Sequence, residues 1–290
     1  MALKDFLILR TAVGDHDHVR PLREGKVSSD RVHFDFVDIR PLPKAFRAMV
    51  RGADLDLSEM AVVTHLLAHH YGRPITGLAI PLWSRLPHTN LVCAEGAGIA
   101  GPKDLEGKRV GVRAYAQTSG VWVRGVLETE YGVDLDRIRW GTMEDAHLAE
   151  YVDPPNATRY PPEPPLRALM MAGEFAAIMG ERVVDPSGIR SVIPDATAAA
   201  EAWIAKTGHF PVNHGVTIRS ALLAEHPWLA TELMDLFTRA RNVAIAEGAV
   251  PPPAYGFDAN AGSLQLLLDF SVRQQITPRR YAAEELFLPL

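Results

Sequence analysis

Residues 117–120 (Gln-Thr-Ser-Gly) lie between a predicted strand and a predicted helix, a position suited to binding an anion. The first backbone N–H groups of a helix have no partner inside the helix, and the helix dipole adds partial positive charge there. A single capping residue satisfies an ordinary helix start, whereas Gln117, Thr118 and Ser119 offer three polar side chains together. Both N-capping and ligand contact fit this turn, and the number of polar groups favours a ligand such as a carboxylate.

Two arginines could supply the matching positive charge. Arg85 and Arg113 lie beside the ends of predicted strands, where open α/β sheets bind ligands. A guanidinium binds a carboxylate through two parallel hydrogen bonds, although a surface position also fits either residue. Arg20 follows the first predicted strand, where ligand contact and solvent exposure are both compatible with the pattern. Tyr115 could stack on an aromatic ring, and packing in a core explains it equally well.

Proton transfer has four candidates, which are Asp17, Glu59, His88 and His214. Glu59 ends an apolar strand, where burial would raise the pKa of its carboxyl and let it donate a proton near neutral pH. The alternative is an acid near a helix start, stabilised by the helix dipole. Histidine exchanges protons near neutral pH, and His88 and His214 lie on two predicted crossover segments. A lone histidine is more often structural, so both interpretations stand for these two residues.

The elements that must hold these residues alternate between strand and helix patterns. This alternation predicts an α/β fold with mainly parallel sheets. The run 151–165 is so rich in proline that it predicts no regular structure. Strands are predicted at 6–13, 32–39, 55–60, 109–113, 175–180 and 210–219, with helices at 41–52 and about 119–131.

Bulk properties restrict the class of protein. A chain of 290 residues is long enough for two domains. The net charge of −5, without a basic run, argues against nucleic-acid binding. No stretch approaches the ~18 apolar residues that span a membrane, and the amino terminus lacks a signal-peptide pattern, so we expect a cytoplasmic protein. The single cysteine, Cys93, cannot form an intrachain disulfide and fits a buried strand.

Several motifs resemble the 4,5-dihydroxyphthalate decarboxylase family. They are AVGDHDHVRPLREGKV, DLDLSEM, AIPLWSRLPH, YAQTSGVWVRGVLETEYGV, and KTGHFPVNHGVTIR followed by EHPWLA, and they cover most of residues 10–245. The resemblance implies a type II periplasmic-binding-protein-like fold, in which two α/β lobes joined by two crossover strands enclose a ligand cleft. We therefore expect residues 1–90 and 211–290 to form one lobe and residues 91–210 to form the other.

The resemblance also implies an activity, the cofactor-independent decarboxylation of 4,5-dihydroxyphthalate or a related phenolic acid in phthalate catabolism. In such a reaction the ring carbon bearing the carboxylate takes a proton, and CO2 leaves as aromaticity returns. The groups at 117–120 with Arg85 and Arg113 would bind the acid. Glu59 or a histidine would donate the proton, and the other histidine would polarise the phenol. Beyond the small aromatic acid we expect no nucleic-acid or membrane partner, and a homo-oligomer is compatible with the sequence.

Three positions depart from the family pattern. The family's Tyr-Asp-Arg near the start is His16-Asp17-His18 here, and its Arg-His pair after the crossover is Pro87-His88. The glycine-rich turn that usually follows the tryptophan at position 140 is replaced by GTMEDAHLAE. The loss of two arginines points to a substrate with less negative charge or with a different ring. Arg124 falls in the middle of a predicted helix and is interpreted as structural.

Two alternative functions remain at this stage. A non-catalytic solute-binding protein, either a transport receptor or a sensor for a small organic anion, would share the anion site but need no acid–base pair. A metal-using enzyme would employ His16 and His18, with Asp15 and Asp17 beside them, as ligands. A second pair, His65 and His69, shares a helix face but lacks the glutamate of the zincin motif, and surface histidines explain it.

Overall fold

The computed structural model describes residues 6–52, 55–180 and 187–290. The chain divides into two compact units. Unit 1 comprises Met1–Ser84, Val212–Leu264 and Ala282–Leu290, and unit 2 comprises Arg85–Pro211 and Gln265–Tyr281. The sequence predicts residues 85–90, 211 and 265–281 in the first lobe, whereas their contacts place them in unit 2. The predicted lobe ranges also contain residues 1–5, 53, 54 and 181–186, which lie outside the described residues.

Strands and helices alternate in both units, as the sequence predicts. In the described residues the strands are β1 (Leu7–Ala12), β2 (Val32–Phe36), β3 (Leu57–Ala61), β4 (Ile75–Trp83), β5 (Leu91–Ala94), β6 (Arg109–Val112), β7 (Arg139–Thr142), β8 (Ala157–Arg159), β9 (Ala177–Met179), β10 (Ile189–Ser191), β11 (His214–Arg219) and β12 (Phe287–Leu288). The α-helices are α1 (Arg20–Arg23), α2 (Pro43–Val50), α3 (Val62–His70), α4 (Thr118–Tyr131), α5 (Leu166–Met171), α6 (Ala196–Thr207), α7 (Ser220–Glu225), α8 (Leu229–Ala246), α9 (Phe257–Arg273) and α10 (Ala283–Leu286). Among the described helices, none is both long and apolar enough to cross a bilayer.

The sheet of unit 1 has the strand order β12-β4-β11-β3-β1-β2. Strands β1, β2 and β3 are parallel, so their carboxyl ends meet at one edge of the sheet. Strand β11 runs antiparallel between β3 and β4. Its first residue, His214, pairs with Ala61 and with Trp83, which are the last residues of β3 and β4. His214 therefore enters the sheet at the edge where the parallel strands end.

The sheet of unit 2 has the order β10-β5-β9-β6-β7-β8, with β9, β6, β7 and β8 parallel. Strand β8 corrects the prediction that the proline-rich run 151–165 has no regular structure. Its three residues lie between prolines and pair with β7 at the edge of the sheet. An edge strand tolerates neighbouring prolines because only one of its sides carries ladder hydrogen bonds.

Buried apolar side chains form the core of each unit. The helical stripe predicted for α4 is confirmed, because Trp122, Val123, Val126 and Leu127 are all buried. Cys93 is buried in β5, also as predicted. In unit 1, α8 contributes apolar residues at helical spacing to the cluster that includes the sheet: Leu229, Leu233, Leu236, Phe237 and Ala240.

His65 corrects the interpretation of the pair His65 and His69 as surface histidines. The His65 side chain is almost fully buried in α3, and its ring meets the edge of the Phe287 ring with centroids 5.1 Å apart. Gly77 leaves the space that it occupies, since a Cβ atom there would lie 2.7 Å from His65 Cε1. Burial, with the nearby His69, lowers the pKa of His65 to about 3. The residue is therefore neutral in the folded protein at neutral pH.

Acid is expected to destabilise the protein through His65. Because the pKa of His65 is lowered on folding, the unfolded chain binds the proton first as pH falls below the ordinary histidine value. The contribution of His65 to the free energy of unfolding is fully present above the ordinary histidine pKa, and it is lost progressively as pH falls towards about 3. The difference in unfolding free energy between wild type and His65→Leu should change by about 2 kcal/mol from pH 7 to pH 5. Urea unfolding at pH 7 and pH 5 measures this change, and His33→Leu, at an exposed position, is the control. If His65→Leu and His33→Leu changed the pH dependence of stability equally, the effect could not be assigned to the burial of His65.

Candidate active site

The carboxylate of Glu59 in β3 binds two histidines in unit 1. Glu59 has no exposed side-chain surface. Its Oε2 atom lies 2.8 Å from His16 Nε2, and its Oε1 atom lies 2.7 Å from His214 Nδ1. The backbone N–H of Gly14 donates a third hydrogen bond to Oε2 at 2.9 Å. An ionised carboxylate only accepts hydrogen bonds, so each bonded histidine nitrogen carries a proton.

The fold of unit 1 brings these three side chains together from distant parts of the chain. Glu59 lies in β3, all of whose residues are buried. His16 lies in the loop that follows β1, the parallel neighbour of β3. His214 opens β11, the antiparallel neighbour of β3 on its other side. The three elements meet at the carboxyl edge of the parallel strands, which is the usual position of a ligand site in such sheets.

The pKa of Glu59 differs from the sequence-based prediction. Burial does raise the pKa of this carboxyl, but the hydrogen bonds and charges of His16 and His214 outweigh burial and lower the pKa below its usual range. The prediction of a raised pKa is therefore wrong, and Glu59 is ionised at neutral pH. Its position fits a second role, the orientation of two imidazoles. Both imidazoles remain accessible, with 17% of the His16 side chain and 19% of the His214 side chain exposed.

Aromatic rings hold the two imidazoles in place. The His214 ring lies 4.8 Å from the Trp83 ring and meets the edge of Phe46 at 5.0 Å. The His16 ring stacks on His18, with centroids 5.3 Å apart and planes 16° apart. Burial, together with the charge of His16, lowers the pKa of His18 to about 4. His18 is therefore a neutral platform under His16 at neutral pH.

Two further candidates, Asp17 and Arg20, point to solvent. Asp17 and Arg20 are both largely exposed and form an ion pair of 2.9 Å with each other, and Arg20 also contacts Asp15. Neither side chain joins the Glu59 cluster. In the described part of the chain, no three histidine, cysteine, aspartate or glutamate side chains are grouped as ligands for one metal ion.

A pocket of about 640 Å³ lies next to the cluster, at the carboxyl ends of β1 and β2. Gly14 belongs to both, because it lines the pocket and donates to Glu59. Arg23, which the sequence analysis did not single out, also lines this pocket, and its guanidinium lies 4.4 Å from the centre of the Phe36 ring. The other lining residues are Ala12, Val13, Asp15, Val37, Asp38, Ile39, Arg40, Pro41 and Leu42.

In unit 2, the predicted anion site is the first turn of α4. Thr118 and Ser119 are the first two residues of the helix, and both are buried. Gln117 occupies the N-cap position without a side-chain capping bond, and its amide contacts the Gly180 carbonyl at 3.5 Å. The ordinary capping alternative therefore does not describe Gln117.

The predicted guanidinium forks of unit 2 contact protein groups. Arg85 donates to Asn90 Oδ1 at 2.7 Å. Arg113 donates to the Glu144 carboxylate at 2.9 Å. His88 is buried, with its ring 5.8 Å from Trp203, and burial lowers its pKa.

Arg124 has the contacts of a structural residue, in agreement with the sequence interpretation. Its side chain is completely buried. It donates to the Tyr115 carbonyl at 2.6 Å and to Gln274 Oε1 at 2.7 Å, and its guanidinium lies 4.0 Å from the Tyr115 ring centre. Tyr115 is thus packed beneath Arg124, and burial raises the pKa of its hydroxyl.

Comparison with known proteins places this chain in a family. No family model matches the chain. A 4,5-dihydroxyphthalate decarboxylase from Comamonas testosteroni is 30% identical over 323 aligned residues, covering 98% of this chain and 97% of that protein. A 4,5-dihydroxyphthalate decarboxylase from Pseudomonas putida is 32% identical over 185 residues, which are 61% of this chain and 71% of that protein.

A solved structure supports the fold alone. The periplasmic aliphatic sulphonate binding protein SsuA from Escherichia coli aligns with a TM-score of 0.59 at 13% identity, covering 96% of this chain and 91% of that one. The predicted periplasmic-binding-protein-like α/β fold is therefore confirmed. With near-complete coverage by a relative of known class, this chain is a carboxy-lyase and belongs to the 4,5-dihydroxyphthalate decarboxylase family.

Proposed function

We propose that the chain decarboxylates 4,5-dihydroxyphthalate, or a closely related hydroxylated aromatic acid, without a cofactor. The observation that carries this proposal is the buried Glu59 carboxylate with one imidazole on each oxygen. A site that only binds a solute needs no such pair of proton-exchanging groups. The names of the two relatives support the choice of substrate.

The reaction requires one base and one acid, and we assign these roles to His16 and His214. One imidazole removes the proton of the ring hydroxyl that lies para to the reacting carboxylate. The resulting phenolate pushes electrons to the carbon bearing that carboxylate, and the other imidazole, in its protonated form, donates a proton to this carbon. The carbon–carboxylate bond then breaks, CO2 leaves, and the bonding electrons restore the aromatic ring. The first imidazole returns its proton to the phenolate, so one proton is consumed for each CO2.

Glu59 serves both imidazoles in this scheme. Its negative charge stabilises an imidazolium on either side, and its two oxygens fix which nitrogen of each ring faces away from it. The hydrogen bonds leave His16 Nδ1 and His214 Nε2 as the nitrogens available for exchange with a substrate. Because Glu59 is buried, its charge is weakly screened and acts strongly on both rings.

The direct test is to incubate the purified protein with 4,5-dihydroxyphthalate and a panel of phenolic acids, with no metal or cofactor added. We expect equal amounts of CO2 and of the monocarboxylate product, measured by trapped CO2 and by chromatography. Pretreatment with a chelator should leave the rate unchanged. Loss of activity to the chelator and its recovery with a divalent metal would overturn the cofactor-free mechanism. Binding of a phenolic acid without CO2 release across the whole panel would favour a solute-binding function.

A further inference from the structure

Arg23 carries a positive charge that no carboxylate of the described residues neutralises by direct contact. Its guanidinium lies 4.4 Å from the centre of the Phe36 ring and donates to the carbonyl of Val13. Its Nε atom is buried and has no hydrogen-bond partner among the described residues. The other arginines near the pocket differ, because Arg20 is paired with Asp15 and Asp17, and Arg40 is paired with Asp38. Arg23 is therefore the pocket arginine whose charge remains available for a ligand.

The environment of Arg23 favours an anion beside it. Partial burial is the main cause that lowers the pKa of Arg23, since the surroundings solvate its charge less well than water does. A guanidinium that has lost water and gained no anion is destabilised, and a carboxylate in the pocket would offset that cost. The Phe36 ring packs against the guanidinium, and a guanidinium can bind a carboxylate through two parallel hydrogen bonds.

A single peptide group joins Arg23 to the Glu59 cluster. The carbonyl of the Val13–Gly14 peptide accepts a hydrogen bond from Arg23, and the N–H of the same peptide donates to Glu59 at 2.9 Å. Summing the two hydrogen bonds and the width of the peptide places the Arg23 guanidinium within roughly 8 Å of the Glu59 carboxylate. One aromatic ring with its substituents spans a comparable distance. A ring at the two histidines can thus present a substituent to Arg23.

We propose that Arg23 binds the carboxylate that the aromatic acid retains after decarboxylation. This inference rests on the proposed function and deepens it, because it names the substrate class as aromatic diacids with a second carboxylate near the reacting one. The monocarboxylate product keeps the group that Arg23 binds. Arg23 is then a specificity residue that distinguishes acids from neutral phenols, while proton transfer belongs to the histidines.

The test measures binding, so that it does not depend on turnover. By isothermal titration calorimetry, wild type and Arg23→Met are compared for 3,4-dihydroxybenzoate, which is the expected product, and for catechol, which has the same ring hydroxyls and no carboxylate. We expect Arg23→Met to lower the affinity for 3,4-dihydroxybenzoate at least 30-fold and to change the affinity for catechol less than 3-fold. Arg23→Lys, which keeps the charge but not the fork, should fall between wild type and Arg23→Met.

The matched control is Arg31→Met, which removes another arginine of unit 1 that stacks on an aromatic ring, 3.5 Å above Trp228, and does not line the pocket. It should bind both ligands as wild type does. Thermal unfolding checks that each variant is folded, and if Arg23→Met is not, Arg23→Lys alone decides. Three results would each overturn the proposal. The folded Arg23 variant could bind 3,4-dihydroxybenzoate with wild-type affinity, or it could lose as much affinity for catechol as for 3,4-dihydroxybenzoate. The third is a wild-type protein that binds the two ligands equally well. Failure of CO2 release with this binding pattern intact would instead count against the proposed reaction.

Discussion

Glu59→Gln is expected to lower kcat by about 10³-fold or more, while the affinity for the aromatic acid changes only a few-fold. The amide is nearly the same size as the carboxylate but has no charge to stabilise an imidazolium, and it can accept from only one of the two histidines. Loss of the carboxylate that orients a catalytic histidine has effects of this order in enzymes that use such pairs. The measurement is steady-state kinetics with 4,5-dihydroxyphthalate, together with calorimetric binding of the product.

The control for this experiment is Glu232→Gln, another hydrogen-bonded carboxylate of unit 1, which accepts from Ser29 at 2.6 Å and takes no part in the Glu59 cluster. Glu232→Gln should retain wild-type kcat.

Gly14→Ala is a second test of the Glu59 hydrogen bonds, and it leaves the charge of the protein unchanged. A Cβ atom on Gly14 would lie 2.9 Å from His16 Nε2 and 3.1 Å from Glu59 Oε2, so Gly14→Ala should disturb the same hydrogen bond and also lower kcat. If Glu59→Gln and Gly14→Ala were both folded and had near-normal kcat, Glu59 would have no role in the mechanism.

Gly125→Ala is expected to lower the free energy of unfolding by about 3 kcal/mol. On an exposed helix this change would stabilise the protein, because alanine favours helix over glycine by about 1 kcal/mol. Gly125 lies against α9, however, and a Cβ atom there would be 2.1 Å from Cδ2 of Phe270. The ring or the helix must move to relieve this overlap, and overpacking in a dense core costs about 1–3 kcal/mol or somewhat more.

Urea unfolding measures the effect of Gly125→Ala, with Gly101→Ala as control, since a Cβ atom on Gly101 would meet nothing within 4 Å. A further variant tests the assigned contact. Phe270→Ala destabilises by itself through the cavity it creates. Combined with Gly125→Ala, it should cost less than the sum of the two single changes, because the clash is gone. Strict additivity would show that the Phe270 ring is not what opposes the methyl group.

The sequence predicts well those features that depend on local patterns. Strands β1 and β3 and helix α4 lie within one or two residues of their predicted limits, because hydrophobic periodicity and helix-start signals are local. Glu59 was predicted at the carboxyl end of its strand, whereas it is the middle residue of β3. Strand β8 was missed because its pairing comes from its neighbour β7, and nothing in its own three residues indicates a strand.

The environment of Glu59 could not be predicted, because its two partners are 43 and 155 residues away in the chain. Burial alone raises a carboxyl pKa, and only the fold shows that two histidines reverse that effect. His16 did leave a signal, since it replaces the tyrosine of the family motif, and a metal site was one alternative for this segment. Arg23 left none. It belongs to the same short helix as Arg20, and the sequence contains no pattern that separates the exposed arginine from the one in the pocket.

The antiparallel strand β11 makes the order of synthesis matter for this protein. It fills the space between β3 and β4, yet it is translated only after the whole main segment of unit 2. A nascent chain that has not yet emerged past residue 214 has Glu59 and His16 but neither the second imidazole nor the central strand of the first sheet. The pair of imidazoles on Glu59 is therefore complete only after the main segment of unit 2 has been translated, and a chain interrupted within that segment lacks the strand that pairs with both β3 and β4.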